Sequence, residues 1–446
     1  MIVGCMKILF VHQNMPGQYK YLCRSFAEDP KNVVVFLTKP KSANIPGVHK
    51  VEYKTRREPT PGVHHYIIGL ERAIIQGQEV WRACRKLRDE EGFVPDVVVA
   101  HPGWGDTLYI KDVYPEVPLL SFFEFYYHSH GVDVNFDPSF PSGLDDAARV
   151  RTKNLTNLLN LECADWGVSP TFWQHSLHPE PFQNRISVLH DGVDTEYCTP
   201  KEDTTIELTR GKKIGRKDEI ITYIARNFEP YRGFPTFMKA AEILHKERPN
   251  CQIVAVGADD VSYGRKLPKG KTWRHIMMEQ VTLDKERIHF TGNISYANLI
   301  DLFRVSSAHI YLTYPFVLSW SMLEAMSTGV ALVGSRTAPV EEVVRDGHNG
   351  LLADFFSPED VAAKVISILE HKDKMQEMRT NARQTVVDKF AISKLLPLHV
   401  DLVKDVAARN FPPPTHQKIL ELYDEETINY GQNCLQKSKR AAALRA

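Results

Sequence analysis

Residues 219–240, EIITYIARNFEPYRGFPTFMKA, read as a strand that stops at a basic turn and restarts as a helix. The run from Glu219 to Arg226 is rich in β-branched residues, as a buried strand requires. Arg226 ends it, Arg232 precedes Gly233, and a helix opens near Phe234. Strand, turn and helix in that order form one unit of a parallel sheet, and ligands of such sheets lie beyond the carboxyl ends of the strands. Two guanidinium groups placed there, beside the free N–H groups of a helix N-terminus, suit a diphosphate. The alternative is that one arginine caps a carbonyl or pairs with Glu229.

The same rhythm runs outward in both directions. Downstream strands are expected at Cys251 to Gly257, Arg287 to Gly292, His309 to Tyr314 and Val330 to Ser335, followed by helices at Pro358 to Lys389 and Ile392 to Arg409. Upstream, strands are expected at Lys7 to His12, Asn32 to Thr38, Asp96 to His101, Pro118 to Tyr127, near Gly167 and at Arg185 to His190. Amphipathic helices at Gly17 to Asp29, His65 to Arg88 and Asp145 to Ala164 separate them. Between the halves, HDGVDTEYCTPKEDTTIELTRGKKIGRKDE is polar enough to read as a linker. The fold class is therefore α/β, with two doubly wound Rossmann-like domains facing each other across a ligand cleft. Residues 1–195 form the first domain and 196–410 the second; 411–446 form a helical tail that has the option of returning to the first. The tail ends in a basic stretch with Lys437, Lys439, Arg440 and Arg445, which is either a solvated face or a membrane or partner contact.

A chain of 446 residues with zero formal net charge offers no bulk attraction to nucleic acid or acidic lipid. Seven scattered cysteines, none spaced Cys-x-x-Cys, argue for a reduced, cytoplasmic protein without a zinc site. No signal peptide or membrane-spanning run is expected. Neither G-x-G-x-x-G nor a P-loop occurs, which disfavours dehydrogenases and P-loop NTPases. With no Asp-x-Asp pair and no third ligand beside His128 and His130, neither metal nor cofactor is expected, and the arginines would carry the phosphate charge themselves.

Other candidate ligand groups sit at strand ends. Gly17 opens a helix directly after the first strand, where backbone amides can approach a phosphate or sugar. The loop Pro315 to Ser319 is expected to point the amides of Val317, Leu318 and Ser319 into the cleft. Glu324, on the helix that follows, can accept bonds from a vicinal diol such as a ribose, or pair with Arg336 on the surface. In the first half, AHPGWGD offers His101, Trp104 and Asp106, while FFEFYYHSH offers Glu124, Tyr127 and His128. These are either an acceptor surface or a structural network.

Taken together, ARNFEPYRGF, HDGVDTEYCTP, EAMSTGVALVGS and DGHNGLLAD resemble the retaining glycosyltransferases of family four, over nearly the whole chain. FVHQNMPGQYKYL, AHPGWGDTLYIKDVYP, FFEFYYH and YLTYPFVLSWSMLEAM resemble a bacterial subgroup of them. The resemblance implies the GT-B architecture and a metal-independent, retaining transfer of a sugar from a nucleotide-diphosphate donor to a saccharide or lipid-linked acceptor. It suggests surface-polysaccharide synthesis in the cytoplasm, with room for a peripheral contact at the inner face of the membrane and with no nucleic acid partner. Arg226 and Arg232 match the family's phosphate-binding pair, Arg232 replacing a Lys. Glu324 matches the second of two donor-contacting Glu residues, whereas Phe316 stands where the first would be. Glu124 holds a position at which many relatives have a His, which gives it a catalytic or positioning role. The alternatives are a non-catalytic nucleotide-sugar-binding relative and a transferase acting on nucleic acid or another acceptor.

Overall fold

The computed structural model describes residues 5–40, 42–208, 211–371 and 373–445, and the chain divides into two compact units. Unit 1 runs to Gly192 and resumes at Ser393; unit 2 is Val193–Ile392.

Unit 1 is built on a seven-stranded parallel sheet: β1 (Lys7–Val11), β2 (Val33–Thr38), β3 (Val48–Glu52), β4 (Val97–Ala100), β5 (Leu119–Phe122), β6 (Trp166–Ser169) and β7 (Ile186–Val188), in the order β3-β2-β1-β4-β5-β6-β7. The central strands are buried on both faces, which is why they read as near-continuous apolar runs. One face packs beneath Ile68–Asp89, burying Val80, Cys84 and Leu87 with Leu9, Val11 and Val98. The other carries Lys20–Ala27 and is joined by Leu395, Leu402, Val403 and Val406 of the helix Ile392–Ala407. Residues 393–410 thus cluster with unit 1, where the sequence reading had grouped them with the second domain. Helices Pro414–Leu420 and Glu425–Arg445 follow in the same unit, with Ile419 in that core and Cys434 buried against Ser176.

Unit 2 opens with a small hairpin, β8 (Thr205–Glu207) and β9 (Lys213–Gly215), inside the segment read as a linker. Its six-stranded parallel sheet comprises β10 (Ile220–Asn227), β11 (Gln252–Ala258), β12 (Ile288–Gly292), β13 (Ala308–Tyr311), β14 (Ala331–Ser335) and β15 (Leu351–Ala353), ordered β12-β11-β10-β13-β14-β15. In both units the strand order reverses beside the first strand of the sheet, between β1 and β4 and between β10 and β13. Those reversals mark where each sheet can open a crevice at its carboxyl edge.

Candidate functional site

The candidate residues fall into two groups, one in each unit. In unit 2 they gather at the carboxyl ends of β10 and β13. The segment Asn227–Gly233 turns back tightly, with the Arg232 N–H donating to the Glu229 carbonyl at 3.1 Å and the Gly233 N–H to that of Pro230 at 2.8 Å. Gly233 has φ +66°, and a Cβ there would lie 2.5 Å from Leu312 Cβ, so conformation and space both require glycine. The helix Phe234–Glu247 starts immediately after it.

This turn seats the Arg232 side chain inside the unit, 8% exposed. Its Nη1 donates to Thr313 Oγ1 at 2.7 Å, the Val317 carbonyl at 3.2 Å and the Tyr311 hydroxyl at 3.3 Å, and the guanidinium lies 5.5 Å from the Tyr263 ring centroid. All of these partners are neutral, and among the described residues no carboxylate pairs with Arg232. The Glu229 carboxylate, fully buried, instead accepts the N–H groups of Ser262, Tyr263 and Gly264 at 3.0, 3.1 and 2.9 Å. That clamp fixes the loop after β11 and holds Tyr263 beside Arg232. The proposed Arg–Glu229 pair is therefore absent, although Arg232 does bond one carbonyl. Arg226, near the end of β10, is exposed, and among the described residues no hydrogen bond or ion pair engages it. A buried cation held only by neutral groups, near the strand end that carries an exposed one, is an arrangement an anion would complete.

In the 315–319 loop, one of the three amides expected to face a ligand is engaged within unit 2. The Ser319 amide donates to the Tyr311 hydroxyl at 2.8 Å, Leu318 is buried, and Val317 turns its carbonyl toward Arg232. Phe316 is buried against Tyr263 and Tyr231, with ring centroids at 4.9 and 5.6 Å, and Tyr231 stacks on Tyr314 at 4.5 Å. Glu324, on the helix Trp320–Ser327, accepts the Tyr296 hydroxyl at 2.9 Å, and Tyr296 lies face to face with the exposed Tyr197. Arg336 pairs with Asp346, not with Glu324. DGHNGLL is a structural turn: Asp346 accepts the Leu352 N–H, and Asn349 bridges Arg345, Val343 and Thr385.

Unit 1 brings His101, Trp104, Glu124 and Gly17 together past the ends of β1, β4 and β5. His101 is buried between Trp104 and Phe122. Its Nδ1 accepts the Gly103 N–H at 3.1 Å, which puts its proton on Nε2, 3.6 Å from Glu124 Oε2. Gln18 Nε2 lies 3.4 Å from Glu124 Oε1, and Gln174 Nε2 donates to the Glu124 carbonyl at 2.8 Å. The room beside Gly17 (φ +52°) is filled by the His12 ring; a Cβ there would lie 2.6 Å from His12 Nε2. That imidazole and the positive φ both require glycine here; the sequence reading expected the backbone amides of this turn to approach a phosphate or sugar. Burial, with His101 adding repulsion, pushes the His12 imidazole down to about 3.

Three other candidates stand apart. Asp106 is fully buried, accepting from the Tyr53 hydroxyl and from Gln76 Nε2 at 2.8 Å, and burial pushes its carboxyl up. His128 Nε2 bonds the Leu177 carbonyl at 2.8 Å. Tyr127 exchanges backbone bonds with the Asn154 side chain, and Lys153 Nζ lies over its ring. All three hold loops to their neighbours. Sequence reasoning missed His12 and Gln18 in unit 1 and, in unit 2, Tyr263, Tyr296 and the clamp that Glu229 makes. A polar residue ending a strand just before a glycine turn was the available signal for His12; Glu229 lay inside the quoted turn but was weighed only as a partner for arginine. Among the described residues no group of three or more His, Cys, Asp or Glu is placed to hold a metal ion, and no helix is long and apolar enough to cross a membrane.

Two units, each built on a doubly wound parallel sheet with these strand orders, are those of the GT-B class. Residues 30–198 match the family model described as Glycosyl transferase family 4 group, and residues 206–385 match Glycosyl transferases group 1. The two matches together span most of the chain, which belongs to the GT-B glycosyltransferases of the group 1 type. An uncharacterised glycosyltransferase of Methanocaldococcus jannaschii is 33% identical over 207 residues, 46% of this chain and 49% of that protein. The chain spans about half the length of the curated relatives it matches first. Among solved structures, sucrose-phosphate synthase from Thermosynechococcus elongatus superposes with a TM-score of 0.68 at 16% identity, covering 91% of this chain and all of that one. HepE of Anabaena, in complex with UDP and glucose, has a TM-score of 0.62 at 14% identity, covering 90% and 99%. At these identities the likeness shows the fold alone.

Proposed function

We propose that the chain transfers a sugar from a nucleotide-diphosphate donor to a saccharide or lipid-linked acceptor, with retention of anomeric configuration and without a metal ion. The observation that carries the reading is Arg232, a buried guanidinium whose partners are all neutral, set at the switch point of unit 2. With the exposed Arg226 it supplies two positive charges for a diphosphate, and they act more strongly as the leaving group gains charge. Glu324 takes the ribose diol, its carboxylate oriented by Tyr296. The 316–319 loop meets the transferred sugar, with Phe316 replacing a hydroxyl-binding carboxylate by an aromatic edge. In unit 1, Glu124 and His101 orient the acceptor hydroxyl, which attacks from the face the diphosphate leaves and passes its proton to the departing phosphate; orientation and charge stabilisation then carry the rate.

HepE, solved with UDP and glucose, has the same fold, which supports a nucleotide-sugar donor. The group 1 match over 206–385 supports transfer over other nucleotide-sugar chemistry. Retention, a role in surface polysaccharide and a peripheral contact at the inner membrane face rest on the family resemblance. A second reading, a nucleotide-sugar-binding relative without turnover, is motivated by Phe316, whose ring is packed among Tyr231 and Tyr263. The two separate on incubation with UDP-, GDP- and ADP-sugars plus a saccharide acceptor. The transferase reading expects release of one nucleoside diphosphate and a product of unchanged anomeric configuration by NMR. Binding with neither hydrolysis nor transfer would leave the second reading.

A further inference from the structure

Residues 259–272 leave β11 and run to the helix Trp273–Gln280 without forming helix or strand, and from Arg265 to Lys271 they are largely exposed. The stretch before Arg265 is held firmly. Asn227 Nδ2 donates to Ser262 Oγ at 2.6 Å, and the buried Glu229 carboxylate accepts the N–H groups of Ser262, Tyr263 and Gly264. Burying a carboxylate is costly, and three charge-assisted bonds from consecutive amides offset that cost. Asn227 and Glu229 belong to the same turn as Arg232, so one short segment supplies the cation and fixes a loop beside it.

The side chain placed in this way is Tyr263. Its ring centroid lies 5.5 Å from the Arg232 guanidinium, 4.9 Å from that of Phe316 and 5.9 Å from that of Tyr231, and the Phe316 and Tyr231 rings are 5.6 Å apart. The three rings are thus mutual neighbours, with the guanidinium against one of them. The Arg232 bonds to Thr313, Val317 and Tyr311 all leave from Nη1. Pinning one nitrogen lets a planar group tilt about it, and an aromatic ring within about 6 Å attracts the cation and sets its plane. Burial works against the guanidinium charge, while Tyr311 and Tyr263 favour it, Tyr263 also through a side-chain hydrogen bond.

We propose that Tyr263 is a positioning residue for Arg232: the loop anchored by Asn227 and Glu229 lays its ring against the guanidinium and sets the plane in which that arginine meets a phosphate. The inference rests on the reading of Arg232 as a ligand of the donor diphosphate. A guanidinium bonds an oxyanion well in its own plane, so a tilt costs most as the departing phosphate gains charge. Tyr263 therefore acts on the rate through Arg232.

The test is a double-mutant cycle on the full chain. Nucleoside diphosphate release from UDP-, GDP- and ADP-sugars with a saccharide acceptor is measured for wild type, Tyr263→Leu, Tyr263→Phe, Arg232→Met and the double variant Tyr263→Leu/Arg232→Met. Tyr263→Leu should lower kcat about tenfold, within the range of a partly desolvated cation–π contact, with KM changed less. In the Arg232→Met background the same change should cost less than about twofold, because the group that the ring positions is gone. Tyr263→Phe keeps the ring and should lose no more than about threefold, the effect of one hydroxyl. A loop that only supports the fold would cost the same in both backgrounds. The inference is overturned if Tyr263→Leu turns over like wild type, if it costs as much in the Arg232→Met background as in wild type, or if Tyr263→Phe falls as far as Tyr263→Leu. Those three results leave the donor reading standing. No release by wild type, or wild-type turnover in Arg232→Met, removes the donor reading and this inference with it.

Discussion

Replacing Arg232 with methionine separates a phosphate-binding arginine from a structural one. If the side chain held the fold, its bonds to Thr313, Val317 and Tyr311 would each contribute about 1.5–3 kcal/mol, the range for hydrogen bonds to charged groups. Only the Thr313 bond, at 2.7 Å, is short; the others lie at 3.2 and 3.3 Å. Against them stands the cost of keeping a guanidinium 8% exposed with no carboxylate beside it, several kcal/mol by itself. The opposing contributions nearly offset, so an unbranched apolar side chain of similar length should change stability by no more than about 1–2 kcal/mol. Transfer should fall by about 10² to 10³, or roughly 2.7–4 kcal/mol of lost charge stabilisation. Nucleoside diphosphate release gives the rate and urea unfolding gives the stability. Turnover within a few fold of wild type refutes the phosphate assignment, and a stability loss above about 3 kcal/mol shows that the arginine serves the fold instead.

Glu124→Gln should retain nucleotide-dependent thermal stabilisation while transfer is lost; a fully active variant removes Glu124 from the mechanism. Glu229→Ala strips three backbone N–H groups of their acceptor, and because Ser262 is exposed and water can reach part of the loop, the expected loss is about 2–4 kcal/mol in urea unfolding together with weakened donor binding. An unchanged unfolding midpoint would show that the clamp is dispensable. Acid should destabilise the protein: burial lowers the His309 imidazole from 6.5 to about 3, so the unfolded chain takes the proton first. Stability is complete above pH 6.5 and falls as pH drops toward 3, by up to about 1.4 kcal/mol per pH unit for this one histidine. His12 and His190, also lowered to about 3, act in the same direction, so a urea midpoint that is flat between pH 7 and 5 contradicts the burial.

The alternation of apolar runs with helix-period segments made both sheets legible, because strands buried on two faces admit little else. Strands with one wet face were not: β3, VHKVE, is half exposed at the sheet edge, and the β8–β9 hairpin lies in a polar segment. The apolar stripe of Ile392–Ala407 was visible, but nothing in its own pattern says which sheet it covers; Leu395, Leu402 and Val403 find β1 and β2. At the site, Arg226, Arg232 and Gly233 could be read because strand end, cation and positive-φ glycine follow one another. The Glu229 clamp could not, since its partners are backbone amides 33–35 residues downstream that leave no side-chain signature. Asp106 misled because a buried carboxylate and a ligand-facing one look alike until Tyr53 and Gln76 fold against it.

The central claim, that the unit 2 arginines take a nucleoside diphosphate, is tested most directly by thermal shift with UDP, GDP and ADP in EDTA on wild type, Arg226→Ala and Arg232→Met. A ligand at 100 times its Kd adds about 2.7 kcal/mol, so one nucleotide should raise the wild-type melting temperature without metal, and both variants should lose that rise. No shift with any nucleotide, or shifts that survive in both variants, would contradict the account.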